Sequence, residues 1–351
     1  MDKTIELNLN FPDTKTRWEN FLINQGITDF SSREVDVLDH TIGLIDEDGH
    51  LVGTGSIAGK VLKYIAVSND EAVHGARFNQ IVSALQEYLF GQKIYHSFVF
   101  TKAKYSSSFA HLGFNELAHT DTAAFLESGT PSIQDFLTKM PRIKNQNQKE
   151  VAAIVMNANP FTLGHQKLVK LASSENDLVY VFVVATDASL FKTTERMDLV
   201  KKGTANFKNV VVVSGGDYQV SRSTFPAYFL KSPDELITTQ TAIDALIFKN
   251  IIAPKLTIKK RYLGTEPFSR TTNFYNQSLQ KILSPTIKVK IVQRFRDNEK
   301  IITATNVRQL IKNSDLKDIS TLVPPTTMNF INENYQILQE RIKKGMNIDG
   351  N

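Results

Sequence analysis

VAAIVMNANPFTLGHQKLVKLAS, Val151–Ser173, is the stretch on which the reading of this chain turns. Its first six residues, Val151–Met156, are mostly apolar and predict a buried parallel strand, because a strand covered on both faces loses the in–out alternation. A polar turn containing Pro160 follows. Next comes a predicted helix whose Leu168, Val169, Leu171 and Ala172 suit one buried face. Gly164 and His165 fall where that helix begins, so its unpaired backbone N–H groups are available to an anion. One helical turn separates Thr162 from His165, a spacing that aims both side chains at one phosphate. The turn is neither a Walker A loop, GxxxxGK(S/T), nor the dinucleotide pattern GxGxxG.

The chain has 351 residues, 41% hydrophobic and 22% charged, which suits a folded protein with room for two cores. It has no cysteine, which excludes disulfides, thiolate metal ligands and a cysteine nucleophile of its own. The N-terminal MDKTIELNLNFPD is polar and acidic, and no apolar run approaches ~18 residues, so a cytoplasmic protein without membrane contact is expected. The net charge of +5 is unevenly spread: residues 1–146 hold 13 Lys+Arg against 18 Asp+Glu, and residues 147–351 hold 28 against 18. A basic half fits a nucleotide, an acidic partner or nucleic acid. No zinc-finger, RNA-binding or aromatic-basic pattern supports nucleic acid.

The first 140 residues predict a small α/β unit. A helix is expected over Thr14–Gly26, a hairpin over His40–Gly59 turning at Asp46–Gly49, and a strand over Val61–Ser68. Further elements are a helix over Ala76–Leu89, strand IYHSFVFT, and a short helix ending at Gly113. Polar residues 141–149 lack periodicity and are read as a linker. Beyond it, strands are expected at Leu178–Ala185, Val210–Ser214, Leu256–Gly264 and Ile287–Phe295, with helices at 194–204, 236–248 and 304–313. β-Branched runs alternating with helices argue for a parallel sheet with ligands beyond its carboxyl ends.

TLGH, in the setting NPFTLGH, resembles the (H/T)xGH signature of the nucleotidylyltransferase superfamily. The second signature of that superfamily, ISxTxVR, resembles Ile302-Thr303-Ala304-Thr305-Asn306-Val307-Arg308, about 140 residues on. FAHLGFNEL, Phe109–Leu117, resembles the closing segment of GNAT acetyltransferases, but the stretch Ala72–Arg77 keeps only the middle glycine of the pyrophosphate loop of that family. The fold class expected is therefore α/β in two parts. Residues 1–140 form a GNAT-like mixed-sheet domain, residues 141–149 a linker, and residues 150–351 a Rossmann-like HxGH nucleotidylyltransferase parallel-sheet domain. Whether the first domain binds, supports or catalyses stays open at this point.

The resemblance implies roles. His165 donates to the α-phosphate, with Thr162 beside it and Asn157, Asn159, Pro160, Phe161 and Gly164 lining the nucleotide. Arg308 binds the β- and γ-phosphates, and Thr303 and Thr305 supply hydroxyls and a helix cap. Lys192 and Arg196, at i,i+4, either clamp pyrophosphate or form an exposed basic face. Gly264–Pro267, GTEP, stands at the nucleotide edge, where Glu266 accepts a hydrogen bond or reaches magnesium through water. Ser223–Lys231, STFPAYFLK, shapes an acyl pocket or forms an aromatic mini-core. No metal-binding residues are assigned.

Taken together, GDY, STFPAYFLK, YLGTEPFSRTTNFYN and TATNVRQLI with the opening motif resemble the citrate (pro-3S)-lyase ligase family over nearly the whole chain. That resemblance implies ATP and Mg2+ as cosubstrates, acetate as the acid, and acetyl-adenylate as intermediate. The acceptor it implies is the phosphoribosyl-dephospho-CoA thiol on the acyl carrier (gamma) subunit of citrate lyase. Two alternatives are an adenylyltransferase acting on a phosphorylated cofactor precursor, and a GNAT acetyltransferase with an accessory nucleotide domain.

Overall fold

The computed structural model describes residues 2–68, 74–185, 189–219, 228–229, 232–265, 270–294, 296–297, 300–346 and 348. The chain divides into two compact units, residues Met1–Thr138 with Arg222–Ile243, and residues Lys139–Ser221 with Asp244–Asn351. The expected 150–351 span thus contains a segment, 222–243, that clusters with the first unit. The polar stretch 141–149 lies in the second, where buried Gln146 donates to the Leu256 carbonyl at 2.7 Å and accepts from the Tyr180 hydroxyl at 3.1 Å.

In the first unit, β1 (Lys3–Glu6), α1 (Pro12–Asn24), α2 (Ser32–Val35), β2 (His40–Ile45), β3 (Leu51–Ala58) and β4 (Val61–Val67) come first. They are followed by α3 (His74–Gly91), β5 (His96–Lys102), α4 (Ser106–Ala110), β6 (Asn115–His119), β7 (Ala123–Gly129) and α5 (Ile133–Thr138). The strands form one mixed sheet in the order β1-β2-β3-β4-β5-β7-β6. Helix α3 buries Ile81, Val82, Leu85 and Leu89, a spacing that keeps one stripe of a 3.6-residue helix on the sheet. Gly55 of β3 permits that approach, since a Cβ there would meet Ile81 at 2.7 Å and Leu85 at 2.8 Å. Trp18 of α1 is fully buried and donates from Nε1 to Thr54 Oγ1 at 3.0 Å.

β4 and β5 are parallel and pair only at Val61↔Phe98 and Leu62↔Val99. Tyr228, from the segment grouped with this unit, stacks on Tyr64 of β4 at 4.3 Å, and Phe229 lies 5.1 Å from Phe100 of β5. Of STFPAYFLK, only these two residues are described, and they belong to an aromatic cluster, which is the packing alternative for that motif. The Ala72–Arg77 stretch is described only from His74, where α3 begins.

The second unit contains β8 (Val151–Met156), α6 (Leu163–Glu175), β9 (Leu178–Val183), α7 (Thr193–Thr204) and β10 (Val210–Ser214), then α8 (Pro233–Ile247), which straddles the division. It continues with α9 (Ala253–Leu256), β11 (Ile258–Gly264), α10 (Arg270–Leu283), β12 (Lys288–Val292), β13 (Arg296–Asp297) and β14 (Lys300–Ile301). Helices α11 (Ala304–Asn313), α12 (Leu316–Ile319), α13 (Pro325–Glu333) and α14 (Tyr335–Lys343) complete it. Five strands form a parallel sheet in the order β10-β9-β8-β11-β12. β9 is buried at all six positions, as its unbroken apolar run requires for a strand covered on both faces. The chain winds outward from β8 in one direction to β10, then returns to β11 on its other side. The carboxyl ends of β8 and β11 therefore flank the switch point, where open α/β sheets form their crevice.

The continuous helical stretch Asp234–Leu256 is long and apolar enough to cross a membrane, a length the sequence pattern had not suggested. Its Ile243, Ile247, Phe248, Ile252 and Leu256 are buried in the protein.

Gly203 of α7 is fitted to the turn after β8: a Cβ there would sit 2.4 Å from Phe161 Cε1. Alanine gains about 1 kcal/mol of helix propensity over glycine, yet displacing a packed ring costs about 1–3 kcal/mol. Gly203→Ala is expected to lower stability in denaturant unfolding; a rise would show that the Phe161 ring gives way freely.

Candidate functional site at the switch point

β8 ends at Met156, and the next nine residues run from Asn157 through a turn to His165 on the first turn of α6. This turn sits where few backbone groups find sheet or helix partners, so its hydrogen bonds must come from elsewhere. Two arginines supply them. Arg196 of α7 is 0% exposed and donates from Nε to the Phe191 carbonyl at 3.0 Å. Its Nη1 donates to the Asn157 carbonyl (2.7 Å), Asn157 Oδ1 (2.8 Å) and the Val184 carbonyl (2.7 Å), and its Nη2 to Thr193 Oγ1 (2.9 Å).

Arg308 of α11, also 0% exposed, donates to the Asn159 carbonyl at 2.5 Å, the Ile348 carbonyl at 2.7 Å and Thr305 Oγ1 at 3.0 Å. Of the two readings of Lys192 and Arg196, the exposed basic face does not fit Arg196, which is buried, and Arg308 is buried as well. Both guanidiniums are drawn inward by main-chain carbonyls of Asn157, Val184, Phe191, Asn159 and Ile348. Lys192 alone of these three cations is exposed. It precedes α7, its backbone N–H donating to Glu195 Oε2 at 2.8 Å, next to Phe191, whose N–H donates to Asn159 Oδ1 at 3.1 Å.

Thr162 is the N-cap of α6 and forms a capping box with His165 in the place where Glu or Gln usually stands. The backbone N–H of Thr162 donates to His165 Nδ1 at 3.1 Å, and its hydroxyl, 2.9 Å from the same nitrogen, accepts the His165 N–H at 3.4 Å. Nδ1 is therefore the acceptor and the ring proton sits on Nε2. Thr162, only 2% exposed, spends these bonds on His165 and the start of α6. The imidazole also stacks on Phe161, with ring centroids 5.8 Å apart. Burial, and next the positive charge of Arg294, push its pKa down from 6.5 to about 4. His165 thus presents a neutral ring with a donor at Nε2.

The first turn of α6 uses most of its donors internally. The Leu163 N–H goes to the Leu322 carbonyl at 2.9 Å and that of His165 to Thr162. Among the described residues, the Gly164 N–H has no hydrogen-bond partner. A Cβ on Gly164 would come no nearer than 3.5 Å to protein, at Thr162 Oγ1, with the Ile302 carbonyl oxygen at 3.6 Å. The protein packed around this position would therefore accept a Cβ.

Ile302 precedes Thr303, the N-cap of α11, whose hydroxyl accepts the Asn306 N–H at 3.0 Å. The two sequence motifs therefore bring two helix N-termini together, and both carry positive potential. Thr305 faces Arg308 and not the opening. Asn159 is 1% exposed and its Nδ2 has no hydrogen-bond partner among the described residues, while Asn157 Nδ2 reaches Ser189 Oγ at 3.4 Å. Pro160 follows Asn159 through a cis peptide.

At the neighbouring strand end, Gly264 closes β11 and its carbonyl accepts from Asn276 Nδ2 at 3.1 Å. Glu266 and Pro267 lie outside the described residues. Arg294, just beyond β12, was not singled out from the sequence; only its place at the end of an apolar strand run marks it. A cluster of Asp46, Asp48 and His50 on the β2–β3 turn is the group among the described residues with metal-ligand spacing. Asp46 Oδ1 accepts the Asp48 and His50 N–H groups, as a turn residue does.

Residues 151–331 match a family described as the citrate lyase ligase C-terminal domain. The citrate (pro-3S)-lyase ligase of Escherichia coli (strain K12) is 33% identical over 294 residues, 82% of this chain and 83% of that protein. That of Klebsiella pneumoniae is 35% identical over 288 residues, 80% and 83% of the two chains. A solved GNAT-family acetyltransferase from Staphylococcus aureus Mu50 aligns with 37% of this chain and 99% of its own, at 15% identity and a TM-score of 0.29.

Two outcomes follow from this geometry. Arg196→Met strands three carbonyls at about 1–3 kcal/mol each and should cost at least about 3 kcal/mol in denaturant unfolding, whereas Lys192→Met should stay within about 0.5 kcal/mol. Equal effects would contradict the assignment. His165 should titrate near pH 4 by NMR. With its folded pKa below the unfolded 6.5, the unfolded chain binds the proton first, so this residue lowers stability as pH falls from 6.5 towards 4. A midpoint near 6.5 would contradict the half-buried, neutral ring.

Proposed function

The chain belongs to the citrate lyase ligase family, an enzyme family of ATP-dependent ligases, and we propose that its site joins acetate to AMP and hands the acetyl group to a thiol. The acceptor thiol is that of a CoA-like arm on a citrate lyase carrier subunit. The observation that carries this reading is the pairing of the neutral His165, its donor on Nε2, with the open Gly164 N–H at two converging helix N-termini.

Acetate attacks the α-phosphorus of ATP through a carboxylate oxygen. One P–O bond to the acyl group forms, the bond to the bridging oxygen breaks, and pyrophosphate leaves with that electron pair. A carboxylate is already a competent nucleophile, so the site needs no general base. It needs alignment and stabilisation of the charge that builds on the phosphate. Nε2 of His165 and the Gly164 N–H supply fixed donors to the α-phosphate oxygens, and Lys192 adds an exposed cation beside them. The residues named here offer N–H and O–H donors and cations and suit phosphate oxygens; magnesium enters as part of the ATP complex.

In the second half-reaction a thiolate sulfur attacks the acyl carbon, AMP departs, and the thiol proton is released. Both thiol and acid come from outside, consistent with a chain without cysteine. The excess of 28 Lys+Arg over 18 Asp+Glu in residues 147–351 favours an acidic carrier. The second half of the fold reads as the nucleotidylyltransferase type and the first as a GNAT-like unit without acetyl transfer. Tyr228 and Phe229 lie on β4 and β5 where those strands stop pairing, which argues against a working acetyltransferase groove there.

Incubation with Mg-ATP, acetate and the thiol-bearing carrier should yield AMP and a thioester. A stable dinucleotide formed from a phosphorylated cofactor precursor would replace this reading with an ordinary adenylyltransferase. His165→Ala should slow adenylate formation by ~100-fold or more, the scale of losing a fixed transition-state donor, with unfolding little changed; near-normal turnover would remove His165 from this role.

A further inference from the structure

Residues 190–192 and the start of α7 link the C-terminal helix α14 to the turn that carries His165. Arg341 of α14 reaches this segment. Its Nη1 donates to the Leu190 carbonyl at 2.9 Å and to Glu195 Oε2 at 2.7 Å, and its Nη2 to Glu195 Oε1 at 2.7 Å. Glu195 Oε2 also accepts the Lys192 N–H at 2.8 Å. A guanidinium paired with both oxygens of one carboxylate fixes angle as well as distance, which an ammonium cannot reproduce. With side chains only 16% and 18% exposed, this pair is better shielded from water and salt than a surface ion pair.

The clamp brackets Phe191. The carbonyl before it is held by Arg341 and the N–H after it by Glu195, while its own carbonyl accepts from Arg196 Nε at 3.0 Å. Its side chain is fully buried, with the ring 5.9 Å from that of Phe330 in α13. Phe191 N–H then donates to Asn159 Oδ1 at 3.1 Å. Asn159 is thus gripped at two atoms, its side chain through Phe191 and its carbonyl by Arg308 at 2.5 Å. Two residues further on, Phe161 stacks on the imidazole of His165, and the Thr162 N–H donates to Nδ1 of the same ring.

We propose that Arg341 is a positioning residue for adenylate formation: acting through Glu195 and Phe191, it fixes Asn159 and with it the turn that aims His165. The inference rests on the reading of adenylate formation given above. A donor to the α-phosphate must stand in one place while the bond to acetate forms, and a misplacement of about 1 Å costs on the order of a hundredfold in rate. Arg308 secures one side of Asn159 from α11, and Arg341 secures the other from α14.

Acetate-dependent exchange of labelled pyrophosphate into ATP, with NMR titration of His165, tests this in the full chain. Arg341→Met should lower kcat about tenfold or more and leave KM for ATP within about twofold, because alignment counts in the transition state. Its His165 midpoint should rise from about 4 towards 6.5 as the loosened ring gains water. Arg341→Lys keeps the charge without the fork and should recover part of both. In an Asn159→Ala background, Arg341→Met should add little further loss, since both changes release the same turn. A wild-type kcat in Arg341→Met, a change in KM alone, independent losses in the double variant, or an unmoved His165 titration would each overturn the proposal. If Arg341→Met does not fold, Arg341→Lys carries the test, and wild-type kcat and His165 titration in that variant would overturn it. If the His165 titration behaves as expected but acetate is never activated, the ligase reading falls and the positioning of His165 by Arg341 stands.

Discussion

Two buried guanidiniums hold the turn that follows β8, and the rest of the site depends on them. A strand that ends inside an α/β protein leaves carbonyls pointing where neither the sheet nor water can satisfy them, and each unmet carbonyl costs on the order of 1–3 kcal/mol. Arg196 reaches the Asn157 carbonyl from α7, and Arg308 reaches the Asn159 carbonyl from α11. Between those two anchors the chain has little freedom, so Phe161 and Thr162 meet His165 in one geometry. The dependence of the first motif on the second, over 149 residues of sequence, is at this point a single hydrogen bond.

The same arrangement separates charge from donation. Arg196 and Arg308 are turned inward, and the groups left at the crevice are a neutral imidazole, the Gly164 N–H, which has no partner among the described residues, the start of a second helix and the exposed Lys192. Such donors need no reorganisation as charge develops on a phosphate. A protonated histidine would repel Arg294 and lose its cap to Thr162, so the depressed pKa and the capping box describe one state of the ring. A carboxylate nucleophile suits this site because it asks nothing of His165 as a base.

Much of this was legible in the sequence where chemistry is local. The apolar run Val151–Met156, the β-branched strands after it and the hairpin at Asp46–Gly49 follow from periodicity and turn composition, and the strands fall within a few residues of the expected bounds. The direction of a side chain is not local. Lys192 and Arg196 share a helix face by spacing, but α7 packs on the sheet and takes Arg196 with it, which only the tertiary fold decides. Arg308 looked like a ligand because a motif containing arginine near a helix start suggests phosphate; its carbonyl partners come from Asn159 and Ile348, distant in sequence. Arg294 carried no signal because it closes a plain strand. Tyr228 and Phe229 sit in the middle of the second half of the sequence yet cluster with the first unit, an excursion that no local pattern encodes.

Exchange of labelled pyrophosphate into ATP, with magnesium and no carrier protein, tests the central claim most directly. A site that aligns a carboxylate against the α-phosphate between His165 and Gly164 should catalyse exchange that depends on acetate and is lost in His165→Ala. Exchange that ignores acetate but requires a phosphorylated cofactor precursor, or that persists undiminished in His165→Ala, would contradict it.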